Sequence, residues 1–183
     1  MVSEKSAEPE RAGQEESGGM EESVIVELLN TTPVVDGSTV DLLAEDSAAG
    51  AWLTAHGGGT GGAAELAALR AVRRDLQAVV RGQQPAGILN AVLADVGQHP
   101  VIDGDGLRWE LYAPPERALP ARIVLAWAAL SQRMPGRLRP CANDECALFL
   151  LDRSRSNTAR WCSMTTCGNR LKARRHQARR TET

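Results

Sequence analysis

The sequence predicts a mainly α fold: a helical N-terminal domain with a small β-hairpin, followed by a small ββα module built on four cysteines. Three observations carry this. Apolar residues recur at three- and four-residue steps through 63–81 and again through 120–134. One Phe, one Tyr and four Trp in 183 residues leave a core of mostly Leu, Val and Ala, which suits packed helices better than a broad sandwich of sheets. All four cysteines fall in the last quarter of the chain, in two pairs with equal spacing.

Residues 1–22 hold seven acidic and two basic groups and few apolar ones. Such a segment buries too little surface to offset its ordering entropy, so a disordered acidic N-terminus is expected there. The helical domain is expected over 23–134. Its first apolar run, Val24–Leu29, stops at Asn30 ahead of Thr32-Pro33; a run this short fits helix and strand equally. Asp41–Trp52 is expected to be helical, with Leu42, Leu43 and Trp52 on its apolar side. His56-Gly57-Gly58-Gly59 resembles the oxyanion loop of some esterases, but no Gly-x-Ser-x-Gly elbow supplies a nucleophile. With Thr60-Gly61-Gly62 the stretch reads as a flexible loop.

Ala63–Arg81 gives the clearest helix: Leu66, Leu69, Val72, Leu76 and Val79 form one stripe, and Gly82 supplies a stop. Arg70, Arg73, Arg74 and Gln77 lie off that stripe and are expected to be solvated. Pro85 is expected to open a second helix with Ile88, Leu89, Val92 and Val96 inward. Val101-Ile102, an Asp-Gly-Asp-Gly turn and Leu107–Tyr112 predict a hairpin, with Leu107, Trp109 and Leu111 on a half-buried face. Asp103 and Asp105 are turn formers here; no Glu closes a calcium loop. Pro114-Pro115 and Pro120 lead into a helix to about Met134, striped by Ile123, Trp127, Leu130 and Met134. Pro135-Gly136 ends it, and 135–140 is expected to be a linker.

The net charge of −2 hides a split. Residues 131–183 carry 12 Lys and Arg against 4 Asp and Glu, a net of +8, and the remainder carries −10. A basic end on an acidic body suits a nucleic-acid-binding module. No stretch approaches the roughly 18–20 apolar residues that span a bilayer, and 1–22 lacks the apolar core of a signal peptide. The expected setting is the cytoplasm, where thiols stay reduced.

That setting bears on the cysteines. Cys141 and Cys146 have four residues between them, as do Cys162 and Cys167, and fifteen residues separate the pairs. A disulfide staple is disfavoured in a reducing compartment, and four buried free thiols fit poorly in so polar a segment. Two short loops can present four sulfurs to one Zn²⁺ in a tetrahedron, so the four cysteines are the expected ligands of a four-cysteine zinc-binding module over 141–180. Ala147–Leu151 has strand character, Arg160-Trp161-Cys162 is expected to return antiparallel to it, and Asp152–Ala159 to turn between them. A basic helix from Cys167 to about Arg180 completes the ββα order. Arg160, Arg170, Lys172, Arg174, Arg175, His176, Arg179 and Arg180 are the candidate nucleic-acid contacts.

Trp161-Cys162-Ser163-Met164 and Cys167-Gly168-Asn169-Arg170, with Cys141, Cys146, Phe149, Asp152 and Arg160 upstream, resemble the CGNR zinc finger over about 138–180. The preceding body resembles the ABATE domain of stress-induced bacterial transcription regulators. That likeness rests on Leu28-Leu29-Asn30-Thr31, Asp41-Leu42-Leu43, Trp52-Leu53 and the Leu/Arg-rich helix. The resemblance implies four Cys ligands, binding to DNA and a bacterial cytoplasmic setting. In residue chemistry, Gly168 is expected to allow close approach near the fourth ligand, and Asn169 to cap or orient the ligand loop.

The expected function is thus a zinc-dependent, DNA-binding transcription regulator. Its basic helix 167–180 would contact duplex DNA, and its body would sense a small-molecule effector or form a homodimer. An RNA-binding or ribosome-associated zinc module, or a protein-interaction module, are the alternatives. Only Trp161 and His176 offer stacking surfaces in the module, which equips it poorly for single strands. No enzyme is expected, because four ligands close the zinc site to water, and no membrane partner is expected.

Overall fold

The computed structural model describes residues 21–59 and 61–169. Its first element is a helix, α1, over 21–29. The run that spacing leaves undecided is helical: Ile25, Leu28 and Leu29 share one face and are fully buried. The helix takes in Glu21 and Glu22, two residues of the segment expected to be disordered. Glu22 is buried, with one carboxylate oxygen on Arg133 and the other on Arg153. Residues 1–20 lie outside the described residues.

A ribbon of β1 (Val34–Val35) and β2 (Ser38–Thr39) turns on Asp36 and Gly37, both at positive φ. The next helix, α2, spans Asp46–Ala55 and begins five residues later than expected. Asp41 is the reason. Its carboxylate accepts the Leu43 N–H at 2.8 Å, an Asx-type turn that competes with helix, and it also receives both terminal nitrogens of Arg73. Leu43 is buried as a result, while Leu42 faces water.

Helix α3 spans Ala63–Val80 and buries Leu66, Leu69, Val72 and Leu76, as the stripe requires. Of the residues off the stripe, Arg74 is exposed as expected, but Arg70, Arg73 and Gln77 are held by partners. Arg73 is buried; besides Asp41 it donates to Thr31 Oγ1 at 3.0 Å. Arg70 donates to the Leu43 and Ala44 carbonyls and to Asp46, and Gln77 to Leu29 O and Thr32 Oγ1. These long side chains tie α3 to the 30–46 connection, whose carbonyls would otherwise lack partners.

The Arg73 hydrogen bond, with the Leu43 N–H and the charges of Arg73 and Arg70, holds the Asp41 carboxyl below its ordinary value against the opposing effect of burial. A depressed carboxylate stabilises fully above its unfolded pKa, near 4, and less as pH falls through the folded value. Asp41→Asn is therefore expected to flatten the acid-side fall of Tm below about pH 4. At neutral pH it should cost about 2–3 kcal/mol. That is less than the loss of a fully buried pair, since the Asp41 side chain is 37% exposed and water screens it. Thermal melts of variant and wild type across pH check both.

In the glycine-rich loop before α3, Gly59 and Gly61 are tied to one carboxylate. Glu65, 2% exposed, accepts the N–H of Gly59 and of Gly61, each at 2.8 Å. A Cβ at Gly58 would lie 2.8 Å from the Leu53 carbonyl oxygen, which leaves only glycine there. The N–H groups that an oxyanion loop over 57–59 would offer are already bound: Gly57 to the Thr54 carbonyl, Gly58 to the Leu53 carbonyl and Gly59 to Glu65.

The segment expected to be a second helix from Pro85 is a 3-10 turn, Ala86–Ala91, and buries only Leu89. Gly87 weakens the first turn, and Asp95 at φ 62° turns the chain toward β3. The hairpin pairs β3 (Gly97–Asp103) with β4 (Gly106–Tyr112) in full antiparallel register. Its alternation is as expected, but its burial is not: Ile102, Leu107 and Trp109 are 82%, 62% and 61% exposed. The ribbon stands off the helices, packing chiefly strand on strand.

A 3-10 turn, Pro115–Arg117, leads into α4 (Ala118–Arg133), which buries Ile123 and Leu130 and rests Trp127 and Met134 against the core. Residues 135–140, expected to be a linker, carry β5 (Leu138–Pro140). It pairs antiparallel with β6 (Phe149–Leu151). Helix α3 lies at the centre, packed on α2, α4, β5 and both 3-10 turns. One core cluster runs from Ile25 on α1 through α3 and α4 to Phe149 on β6. No helix among the described residues is long and apolar enough to cross a membrane.

Candidate metal centre

Both cysteine pairs sit on turns. The β5–β6 hairpin closes through 141–148, and this loop carries Cys141 and Cys146. Cys141 N–H donates to Leu148 O and Cys146 N–H to Asn143 O, each at 2.8 Å, which folds the loop into a knuckle. The second pair lies on 162–168, where Met164–Gly168 form a π-helical turn. Ala142 N–H donates to Arg160 O at 2.8 Å and joins the two loops.

The strand order differs from the ββα expectation. The partner of β6 is β5, ahead of the first cysteine; Arg160-Trp161-Cys162 is not a strand. Asp152 explains this. It is 1% exposed; its carboxylate accepts the Ser154 and Ala159 N–H groups at 2.8 Å and pairs with Arg139. Those bonds wrap 152–159 into a loop instead of a hairpin turn. Bonds from Ser154, then from Ala159, and the Arg139 charge outweigh burial and hold the Asp152 carboxyl at about 2.

The four cysteine sulfurs lie within 4.8 Å of one another, with Cys146–Cys162 and Cys162–Cys167 each at 3.7 Å. A tetrahedron with Zn–S bonds of about 2.3 Å has sulfurs about 3.8 Å apart. A disulfide would bring two of them to about 2 Å, and all four are free. Asn143, 3% exposed, donates from Nδ2 to Cys167 Sγ, and Cys162 N–H donates to Cys141 Sγ, both at 3.5 Å. Burial first, and the neighbouring thiols second, push the Cys162 thiol up; burial chiefly pushes Cys146 up to about 11. At Cys167, burial is outweighed by the bonds from Asn143 and the other three sulfurs, and its thiol is pulled down. Burial disfavours the charged form at Cys146 and Cys162; a divalent cation at the centre of the quartet reverses that. The donor set fits zinc.

Asn143 is a residue that spacing alone does not bring forward, although an Asn between paired cysteines is a signal for an Asx turn: its Oδ1 accepts the Glu145 N–H. Asn169 donates from Nδ2 to the Thr165 carbonyl at 3.5 Å, within the loop between Cys162 and Cys167. Gly168 does allow close approach: a Cβ there would meet Met164 Sδ at 2.8 Å and Trp161 Cδ1 at 3.3 Å.

The knuckle is seated on the body through its own backbone. Asn30 Nδ2 donates to Phe149 O at 3.2 Å, and Phe149 N–H donates to Asn30 Oδ1 at 2.7 Å, so one side chain takes both edges of a β6 residue. The Phe149 ring is buried in the body core. Arg81 lies over it at 4.3 Å and donates to Ala147 O.

Of the expected nucleic-acid contacts, only Arg160 falls on a described part of the chain. It is exposed, with its guanidinium 5.4 Å from the Trp161 ring. Arg170, Lys172, Arg174, Arg175, His176, Arg179 and Arg180 lie outside the described residues. Four other arginines of the basic end are committed to structure: Arg133 and Arg153 to Glu22, Arg137 to the Asp152 and Ser154 carbonyls, Arg139 to Asp152.

Fold and site define a protein whose helical body carries a four-cysteine zinc knuckle fused into its core. Residues 22–144 match the ABATE domain, described as "Putative stress-induced transcription regulator", and residues 137–180 match the CGNR zinc finger. The chain belongs to the ABATE family and ends in a CGNR zinc finger, with Cys141, Cys146, Cys162 and Cys167 together as its zinc site. Among curated proteins, none matches the chain.

Proposed function

We propose that this chain is a zinc-dependent, DNA-binding transcription regulator. The basic segment 167–180 contacts duplex DNA, and the body senses a small effector or brings two copies together. The observation that carries the reading is the metal centre's position: its fourth ligand, Cys167, stands at the root of a segment with six Lys and Arg and no acid between 168 and 180. Arg155 and Arg160, exposed and without an ion pair among the described residues, extend the same charge. The family description supports the regulatory part. A half-open cleft of about 180 Å³ between α3 and the 3-10 turn, lined by Ala68, Val72, Ile88, Leu89 and Arg117, is the body's place for an effector. The protein is no enzyme in this reading, as four thiolates fill a tetrahedral zinc.

The test is duplex DNA affinity against salt, with zinc loaded. A phosphate-contacting module loses affinity with a log–log slope of about −0.9 per contact. Replacing Arg174 and Arg175 with Gln is expected to flatten that slope by roughly 1–2. Salt-insensitive binding, or none, refutes the reading. Preference for structured RNA of equal length would favour the RNA alternative.

A further inference from the structure

The β3–β4 ribbon has two faces of opposite character. Directly paired residues share a face, so Pro100 with Trp109 and Ile102 with Leu107 lie together on one side, with Gln98 and Leu111 toward the base. The other side carries His99, Arg108 and Glu110, with Val101 between them and Tyr112 exposed at the base. There Arg108 bonds Asp103 and Glu110 at 2.8 Å, and His99 lies 3.6 Å from Glu110. The charged side is satisfied internally; the apolar side is bare. Ile102, Leu107 and Trp109 are each more than 60% exposed.

Isolated two-stranded ribbons are marginal in water, and burying an apolar face is what stabilises them. We propose that this face is covered by the same face of a second copy of the chain, in an isologous homodimer. Three features favour that occupant. No charged group lies on the face, so neither a phosphate backbone nor an acidic or basic protein surface complements it. The face is self-complementary: Trp109 and Pro100 are the middle residues of their strands, and a two-fold axis between two ribbons sets both Trp109 rings at the centre with Ile102 and Leu107 around them. Its size also fits. A ribbon about 24 Å long and two strands wide offers on the order of 400 Å² per copy. This reaches the size at which an exposed apolar patch marks an interaction site, and is about half of a standard interface side of ~800 Å². A weak, reversible dimer is the class that a face of this size allows. Packed about 10 Å apart, the two ribbons form a small four-stranded sandwich.

The inference takes the dimer arm of the function proposed above and names its surface; it is tested without DNA, so either can fail alone. Sedimentation equilibrium of the full zinc-loaded chain is expected to rise from the monomer mass of 19.6 kDa toward twice that value between about 1 and 100 µM. Trp109→Lys is expected to weaken association at least about 30-fold. Ile102→Lys should also leave the chain monomeric at concentrations where wild type is dimeric. Both side chains are exposed, so far-ultraviolet circular dichroism should be unchanged. Glu110→Gln, on the charged face, should dimerise as wild type does. A wild-type chain monomeric throughout, or Lys variants that associate normally, overturns the proposal.

Discussion

Replacing Cys162 with Ser is expected to strip the zinc and to lower Tm by at least about 10 °C. Cys162 has two sulfur neighbours at 3.7 Å. Without it, three desolvated sulfurs are left to hold the ion. Structural zinc sites contribute on the order of 10–16 kcal/mol to small folds, as much as a whole domain's net stability of about 5–15 kcal/mol. Metal content by atomic absorption and melting by calorimetry check the expectation. A chelator should reproduce the loss in wild type and change the variant little. A variant that keeps one zinc per chain would show that the quartet is not the site.

Phe149→Ala should be nearly as damaging, for a different reason. The ring is 1% exposed and belongs to the core cluster that includes Ile25, Leu69 and Leu130. Deleting it leaves a cavity and removes the surface under Arg81, with a cost of about 3–5 kcal/mol. The loss falls on both halves at once. Heat is expected to release zinc and melt the helices in one transition, earlier in the variant than in wild type. Two separated transitions, with only the later one shifted, would show that the knuckle and body melt independently.

How much of the fold is legible in the sequence depends on the range of the interaction. The α3 stripe is local, and spacing places it within one residue. The hairpin is legible from its Asp-Gly-Asp-Gly turn, but whether its face is covered is a tertiary fact, and the alternation of Leu107, Trp109 and Leu111 is the same covered or bare. Arg73 lies off the apolar stripe and reads as solvated because its partner, Asp41, is 32 residues away; nothing local marks the pair. The same pair explains the late start of α2. In the knuckle, four ligands at equal spacing are readable because coordination chemistry restricts spacing tightly. The strand order is not, because the Asp152 carboxylate, gathering backbone from two sides, decides it.

The joint at Phe149 bears on how such a finger could be transplanted. The two family matches share residues 137–144, which include β5 and the first ligand; a cut after 144 divides the β5–β6 pair, and a cut before 137 parts Phe149 from the body core. Excised at 137, the finger carries an aromatic plug with no socket. Truncated at 136, the body keeps a hole in its core, and Asn30 and Arg81 lose their partners. A chimera that exchanges fingers between relatives must therefore move the socket with the plug: Asn30, Arg81 and the apolar wall that receives Phe149.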